Sequence, residues 1–203
     1  MIKYVVFDFD GTLADTFDAI KDFVKEEIKN VTEEDIALFK DEGIKGMMKM
    51  KNISLAEFTR LTLKITPKLK NKKNINIFPG MLEVIQTLTQ SYKIGILSSN
   101  SEDNILKFLK KYNIVNLFEF IFSQSSIFGK HVVMRSMCRK HRLNPSEILY
   151  VGDEDRDIIA SRRAKIKSIA VTWGFNSEKR LLKVNPTHIV YTPNEILDKI
   201  QLY

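Results

Sequence analysis

The stretch Val5-Val6-Phe7-Asp8-Phe9-Asp10-Gly11-Thr12-Leu13 reads as a buried strand that ends in two carboxylates and breaks at glycine. Side chains alternate along a strand, so Asp8 and Asp10 leave the backbone on the same side at its carboxyl end. Two acids at the edge of a buried strand are costly unless a positive charge sits between them. A metal ion held by one acid, with the other free for proton transfer, fits that arrangement.

Beyond Thr16 the pattern turns helical. Phe17, Ile20, Phe23, Val24 and Ile28 recur at helical spacing, with acids and lysines on the other face. Thr32-Glu33-Glu34-Asp35 predicts a helix start leading to Ile36 and Phe39. Glu42-Gly43-Ile44-Lys45-Gly46 reads as a breaker. Gly43 to Lys51 is expected to be a solvated loop, with Lys45 and Lys49 as candidate substrate contacts. Ser54-Leu55-Ala56-Glu57 has the form of a capping box, followed by the apolar face Leu55, Phe58, Leu61 and Ile65. Pro67 ends or kinks that helix, lysines fill 68–73, and Phe78-Pro79-Gly80 marks a boundary. Residues 15–79 are therefore expected to form an all-helical insertion between two parts of a core domain, 1–14 and 80–203.

From Met81 onward strands and helices alternate. Strands are predicted at Lys93 to Leu97, Phe118 to Phe122, Ile148 to Val151, Ser168 to Thr172 and His188 to Tyr191. Helices are predicted over about 81–90, 102–112, 130–141, up to Ala164, and from Asn194. This alternation implies an α/β fold: a Rossmann-like, doubly wound parallel sheet covered on both faces. Ligands in such sheets bind beyond the carboxyl ends of the strands, at the switch in strand order.

Three of these strands end in groups able to do chemistry. The first delivers Asp8 and Asp10, the second Ser98, Ser99 and Asn100, and the third Asp153, with Asp157 in the next helix's first turn. The Phe128-Gly129-Lys130 turn places Lys130 at a helix start. Four carboxylates and one lysine at one edge leave a charge of about −3, and each like pair about 4 Å apart costs on the order of 4 kcal/mol. A divalent cation relieves most of that crowding, and oxygen-only ligands suit Mg2+. A phosphate there would be held by the metal, Lys130, the Ser98 hydroxyl and backbone N–H groups. A carboxylate facing phosphorus can act as nucleophile, and a second can serve as general acid and base.

These residues resemble the motifs of the haloacid dehalogenase superfamily, and the resemblance spans the chain. Asp8-Phe9-Asp10-Gly11-Thr12-Leu13 is similar to its first motif, Ser98 to its second, Lys130 to its third, and Gly152-Asp153-Glu154-Asp155-Arg156-Asp157 to its fourth. The insertion after the first motif resembles the small helical cap of the phosphoglycolate-phosphatase-like branch, as does the loop Thr172-Trp173-Gly174-Phe175-Asn176. The resemblance implies Asp8 as nucleophile and metal ligand. It implies Asp10 as general acid and base, lending its backbone carbonyl to the metal. Thr12 would steady Asp10. Ser98, Ser99, Asn100 and Lys130 would bind the phosphoryl group, Asp153 would ligate Mg2+, and Asp157 would support Lys130 or a metal-bound water. An acid at position 10 favours phosphoryl transfer over dehalogenation. Two positions depart from the pattern: Glu154, where many relatives carry serine or threonine, and Lys165, where they usually carry glycine. A left-handed Lys165 would store strain on the order of 1 kcal/mol.

Composition bounds the rest. The chain has 203 residues, a net charge of +7 and a single cysteine, Cys138, so no internal disulfide forms. One cysteine suits a reducing compartment, and no apolar run approaches the roughly 18 residues that span a bilayer. A cytoplasmic enzyme acting on a small-molecule phosphomonoester is expected, with no membrane contact, as a monomer or homodimer. The lysines are dispersed among acids without an aromatic-basic signature, so nucleic acid is not an expected partner. Alternatives are a phosphomutase using the same residues, a non-catalytic binding protein of the same fold, and an enzyme processing 5′-phosphate ends. His131, His141 and His188 show no ligand spacing.

Overall fold

A computed structural model describes residues 1–28, 30–54, 56–57, 60, 75–124 and 129–203. Most of the expected helix bearing Leu55, Phe58, Leu61 and Ile65, with Pro67, the lysines of 68–73 and Phe128, lies outside the described residues. Ser54 and Glu57 lie within them, and the Glu57 N–H donates to Ser54 Oγ at 3.2 Å, as an N-cap does.

Six strands form one all-parallel sheet: β1 Tyr4–Phe7, β2 Lys93–Ser98, β3 Phe118–Ser123, β4 Ile148–Gly152, β5 Lys167–Val171 and β6 His188–Val190. Their order is β3-β2-β1-β4-β5-β6, so the chain winds outward from β1 in one direction and then returns to wind outward in the other. The order reverses beside β1 and β4, which carry Asp8, Asp10 and Asp153 at their ends.

Period-two alternation builds two cores from the same strands. Val5, Phe7, Ile94, Ile96, Leu149 and Val151 face helices α3 (Met81–Leu88), α4 (Glu102–Lys111) and α8 (Glu195–Ile200). Val6, Leu97, Phe120 and Tyr150 face α5 (Lys130–His141) and α6 (Asp155–Arg163) through Met134, Met137 and Ala160. Each fully buried large side chain contributes about 1.5–3 kcal/mol. That is why strands buried on both faces read as continuous apolar runs. His141 joins this packing, stacked on Phe120 with centroids 4.3 Å apart.

Between β1 and α3 lie α1 (Phe17–Glu27) and α2 (Glu33–Met50). Thr32 and Asp35 cap α2 reciprocally: the Asp35 N–H donates to Thr32 Oγ1 and the Thr32 N–H to Asp35 Oδ2. The chain leaves and returns side by side. The Asp15 N–H donates to the Asn76 carbonyl at 2.8 Å, and the Phe78 N–H to the Leu13 carbonyl at 3.1 Å. The expected loop from Gly43 to Lys51 is corrected. The backbone breaks at Gly43 alone (φ 67, ψ −170) and is helical again to Met50. One glycine absorbs the whole turn, and the following methionines and lysines are good helix formers. A further short helix, α7 (Glu178–Leu182), was not expected. Five residues are too few to show a period, although Ser177 caps it by accepting from the Arg180 N–H.

Helix α6 ends in a Schellman turn. The Ile166 N–H donates to the Ser161 carbonyl and the Lys165 N–H to that of Arg162, with Lys165 left-handed at φ 61. Lys165→Gly is therefore expected to raise unfolding free energy by about 1 kcal/mol, measured by urea denaturation at unchanged m-value. An unchanged or lower midpoint would show that the strain is absent.

Candidate active site

The sheet's carboxyl edge gathers the acids. Asp8 extends β1 by one bond, its N–H donating to the Val151 carbonyl at 2.8 Å. Its Oδ1 accepts from the Phe9 N–H at 2.8 Å, and its Oδ2 from Lys130 Nζ at 2.8 Å. Lys130, on the first residue of α5, also donates to Asp157 Oδ1 at 2.6 Å and lies over the buried Tyr150 ring. Asp157 Oδ2 accepts from the Glu154 N–H, which fixes α6 to the end of β4. Carboxylate oxygens of Asp8, Asp153 and Asp157 lie within 4.8 Å of one another, and all three residues are buried. Asp8 and Asp153 are thus close enough to share a cation.

Asp153 is enclosed by backbone. Its Oδ1 accepts from Thr12 Oγ1 at 2.8 Å and its Oδ2 from the Phe175 N–H at 2.7 Å. A Cβ on Gly174 would fall 2.2 Å from Asp153 Oδ2, so only glycine lets the 173–175 backbone approach this closely. Thr12 therefore spends its hydroxyl on Asp153, not on Asp10 where it was expected. Asp10 is held by Asn100, whose Nδ2 donates to Asp10 Oδ2 at 3.0 Å and Oδ1 at 3.3 Å. Asn100 Oδ1 is itself fixed by the Ser101 N–H and Asn104 Nδ2. Asn100, expected near the phosphoryl group, thus lies against Asp10. Ser98 Oγ is buried and accepts from the Asn100 N–H at 3.0 Å, while Ser99 is exposed at the same edge.

The Glu154 charge is answered locally. Arg156 donates to Glu154 Oε1 from Nε at 2.9 Å and also from Nη2. Arg156, Trp173 and Phe175 lie within the sequence motifs, but no role was assigned there to the Arg156 guanidinium, the Phe175 N–H or the Trp173 Nε1–H, which donates to the Thr12 carbonyl at 3.2 Å. The one signal in the sequence was Gly174 between two aromatics, a sign of close backbone approach.

Burial sets the protonation. It pushes the Asp8 carboxyl up to about 7 against the pull of Lys130. It also raises Asp10, with Asn100 opposing. Asp153 stands well above the ordinary carboxylate range because it is buried and faces Glu154, Asp157 and Asp8. Burial works against the Lys130 charge, but the Asp157 and Asp8 carboxylates outweigh it and hold the ammonium above an ordinary lysine. The protein's own cations leave the cluster under-neutralised. Its all-oxygen donor set, with Asp8 and Asp153 each offering carboxylate oxygens, fits a hard divalent cation.

The fold is shared with solved structures. A haloacid dehalogenase-like family hydrolase from Streptococcus pneumoniae superposes with a TM-score of 0.82 over 98% of each chain at 24% identity. The family model for haloacid dehalogenase-like hydrolases matches residues 5–171, and the chain belongs to that family and is a hydrolase. A phosphoglycolate phosphatase of Synechococcus elongatus is 28% identical, covering 98% of this chain and 97% of its own. The pyrophosphatase PpaX of Oceanobacillus iheyensis is 23% identical, covering 97% and 95%. Among the described residues no helix is long and apolar enough to cross a membrane.

The raised carboxyls give the metal-free protein a definite pH dependence. An unfolded aspartate ionises at its ordinary 3.8, whereas Asp8 in the fold keeps its proton to about 7. Below 3.8 both states are protonated and nothing is lost. As pH rises to about 7 only the unfolded state ionises freely, so the fold loses stability. In chelator, the Tm change caused by Asp8→Asn is expected to be more favourable at pH 8 than at pH 5, by at least about 2 °C. An equal change at both pH values would contradict the raised carboxyl.

Proposed function

We propose that this chain is a Mg2+-dependent phosphatase that hydrolyses a small-molecule phosphomonoester through an aspartyl-phosphate on Asp8. The observation carrying the reading is the Lys130 ammonium between Asp8 Oδ2 and Asp157 Oδ1, with Asp153 close enough to share a cation with Asp8. The names of the relatives, phosphoglycolate phosphatase and pyrophosphatase, support phosphoryl transfer to water.

In this reading Asp8, Asp153 and the Asp10 carbonyl hold the metal, which when bound supplies positive charge for both the acid cluster and the phosphoryl oxygens. Asp8 attacks phosphorus, forming the Asp8 O–P bond as the ester P–O bond breaks. Asp10, its carboxyl raised by burial, delivers a proton to the leaving oxygen. It then takes a proton from the water that attacks the phosphoryl group, releasing phosphate and restoring Asp8. Lys130, the Ser98 hydroxyl and the Ser99 N–H hold the phosphoryl oxygens. Asn100 keeps Asp10 aimed, Thr12 keeps Asp153 aimed, and Asp157 keeps Lys130 in place.

Residues 15–79 act as the cap, closing over residues 1–14 and 80–203 to exclude water. The paired crossing at Asp15 and Asn76 supports that boundary. The enzyme works in the cytoplasm as a monomer or homodimer.

A panel of phosphomonoesters assayed for free phosphate tests the reading. Activity is expected with Mg2+, lost in chelator, and reduced at least about 1,000-fold in Asp8→Asn. Normal turnover in Asp8→Asn would remove Asp8 as nucleophile. A rearranged ester without phosphate release would make the enzyme a phosphomutase. A folded, Mg2+-binding protein inert on the whole panel would make it a binding module.

A further inference from the structure

The segment from Trp173 to Arg180 joins the acid cluster at one end and the inserted helices at the other. Near the cluster, the Trp173 indole N–H holds the Thr12 carbonyl and the Phe175 N–H holds Asp153 Oδ2. The Phe175 ring stands edge-on to Phe17 of α1, with centroids 5.6 Å apart, and Lys40 Nζ lies 4.1 Å from the Phe17 ring centroid. Asn176 Oδ1 accepts the Asp155 N–H at 2.8 Å in the first turn of α6. The Ser177 N–H then donates to the Lys40 carbonyl of α2 at 3.0 Å.

Arg180 closes the connection. Its Nη2 donates to Asp155 Oδ2 at 2.6 Å and its Nη1 to the Asp41 carbonyl at 3.3 Å. Its Nε is buried and has no hydrogen-bond partner among the described residues. The guanidinium packs against Gly43, where α2 breaks, and a Cβ on Gly43 would lie 2.7 Å from Nη2. A guanidinium fork suits this task because it grips a carboxylate and a carbonyl in one plane, which an ammonium does not.

We propose that residues 173–180 form a strap coupling the position of the insertion to Asp153, with Arg180 as its positioning residue. Bonds at both ends of so short a run mean that α2 cannot lift without pulling on the backbone that holds Asp153. One buried donor without a partner makes the grip of Arg180 incomplete, which suits a contact made and released in each cycle. The strap gives the phosphatase reading above a way to sense closure, and it rests on that reading for its kinetic consequence.

Steady-state kinetics on the best ester of the panel tests the strap. Arg180→Ala is expected to raise KM about tenfold while kcat changes less than about threefold, with Arg180→Lys recovering part of the loss. Gly43→Ala alone raises KM through displacement of the guanidinium, and its penalty shrinks in the Arg180→Ala background. An unchanged KM in Arg180→Ala, or an equal Gly43→Ala penalty in both backgrounds, overturns the strap. A second measurement needs no turnover. Mg2+ with orthovanadate is expected to slow tryptic cleavage of the insertion in the wild type and not in Arg180→Ala. Equal behaviour of the two proteins overturns the strap. A wild type that shows the difference yet hydrolyses no ester retires the phosphatase reading and leaves the strap standing.

Discussion

The Lys130 ammonium, shared between Asp8 and Asp157, is the contact on which the carboxyl edge of the sheet depends. Its side chain is 14% exposed, and its partners are more deeply buried. Buried ions of this kind are tolerated only when paired and hydrogen-bonded. One lysine cannot balance Asp8, Asp153 and Asp157 all ionised, so without a further cation Asp8 and Asp153 hold their protons well above the ordinary carboxylate range. With carboxylate oxygens of all three residues within 4.8 Å of one another, the edge offers a donor set that suits a cation. The apolar strands around it keep water from screening the imbalance.

The rest of the architecture aims these acids. Asp153 is held by a hydroxyl from the β1 turn and a backbone N–H from the turn after β5. Asp10 is held from the end of β2, and Asp157 from the end of β4. Each carboxylate is thus fixed by a different crossover. The geometry forms only when the parallel sheet has its full order, with β1 between β2 and β4.

Much of this was legible in the sequence. The strands from β1 to β5 appear as buried runs bounded by polar residues, and the acids at their ends stand out because charge is rare in such runs. Asp8, Asp10, Asp153 and Ser98 could be placed at one edge from the ends of alternating strands, and Asp157 and Lys130 from helix starts and the motif resemblance. The pairing of those residues could not be read. Thr12 and Asp153 are 141 positions apart, and nothing local says that the hydroxyl turns to Asp153 and away from Asp10. Asn100 reads as a helix-start residue or a phosphate contact, and its grip on Asp10 follows from the spacing of β1 and β2. The Phe175 N–H is invisible because a backbone donor has no side-chain signature. Gly43 announced a break, but a single residue at positive φ leaves no trace of how soon the helix resumes.

The crossing at Asp15 and Asn76 has a modular consequence. The two ends of a sixty-residue excursion are one peptide hydrogen bond apart, and the core on either side is closed by its own strands and helices. Loop-closure entropy grows only with the logarithm of length, so the core is nearly indifferent to how much polypeptide hangs from that junction. The length of chain between the two crossing residues therefore bears little on how the sheet beneath closes.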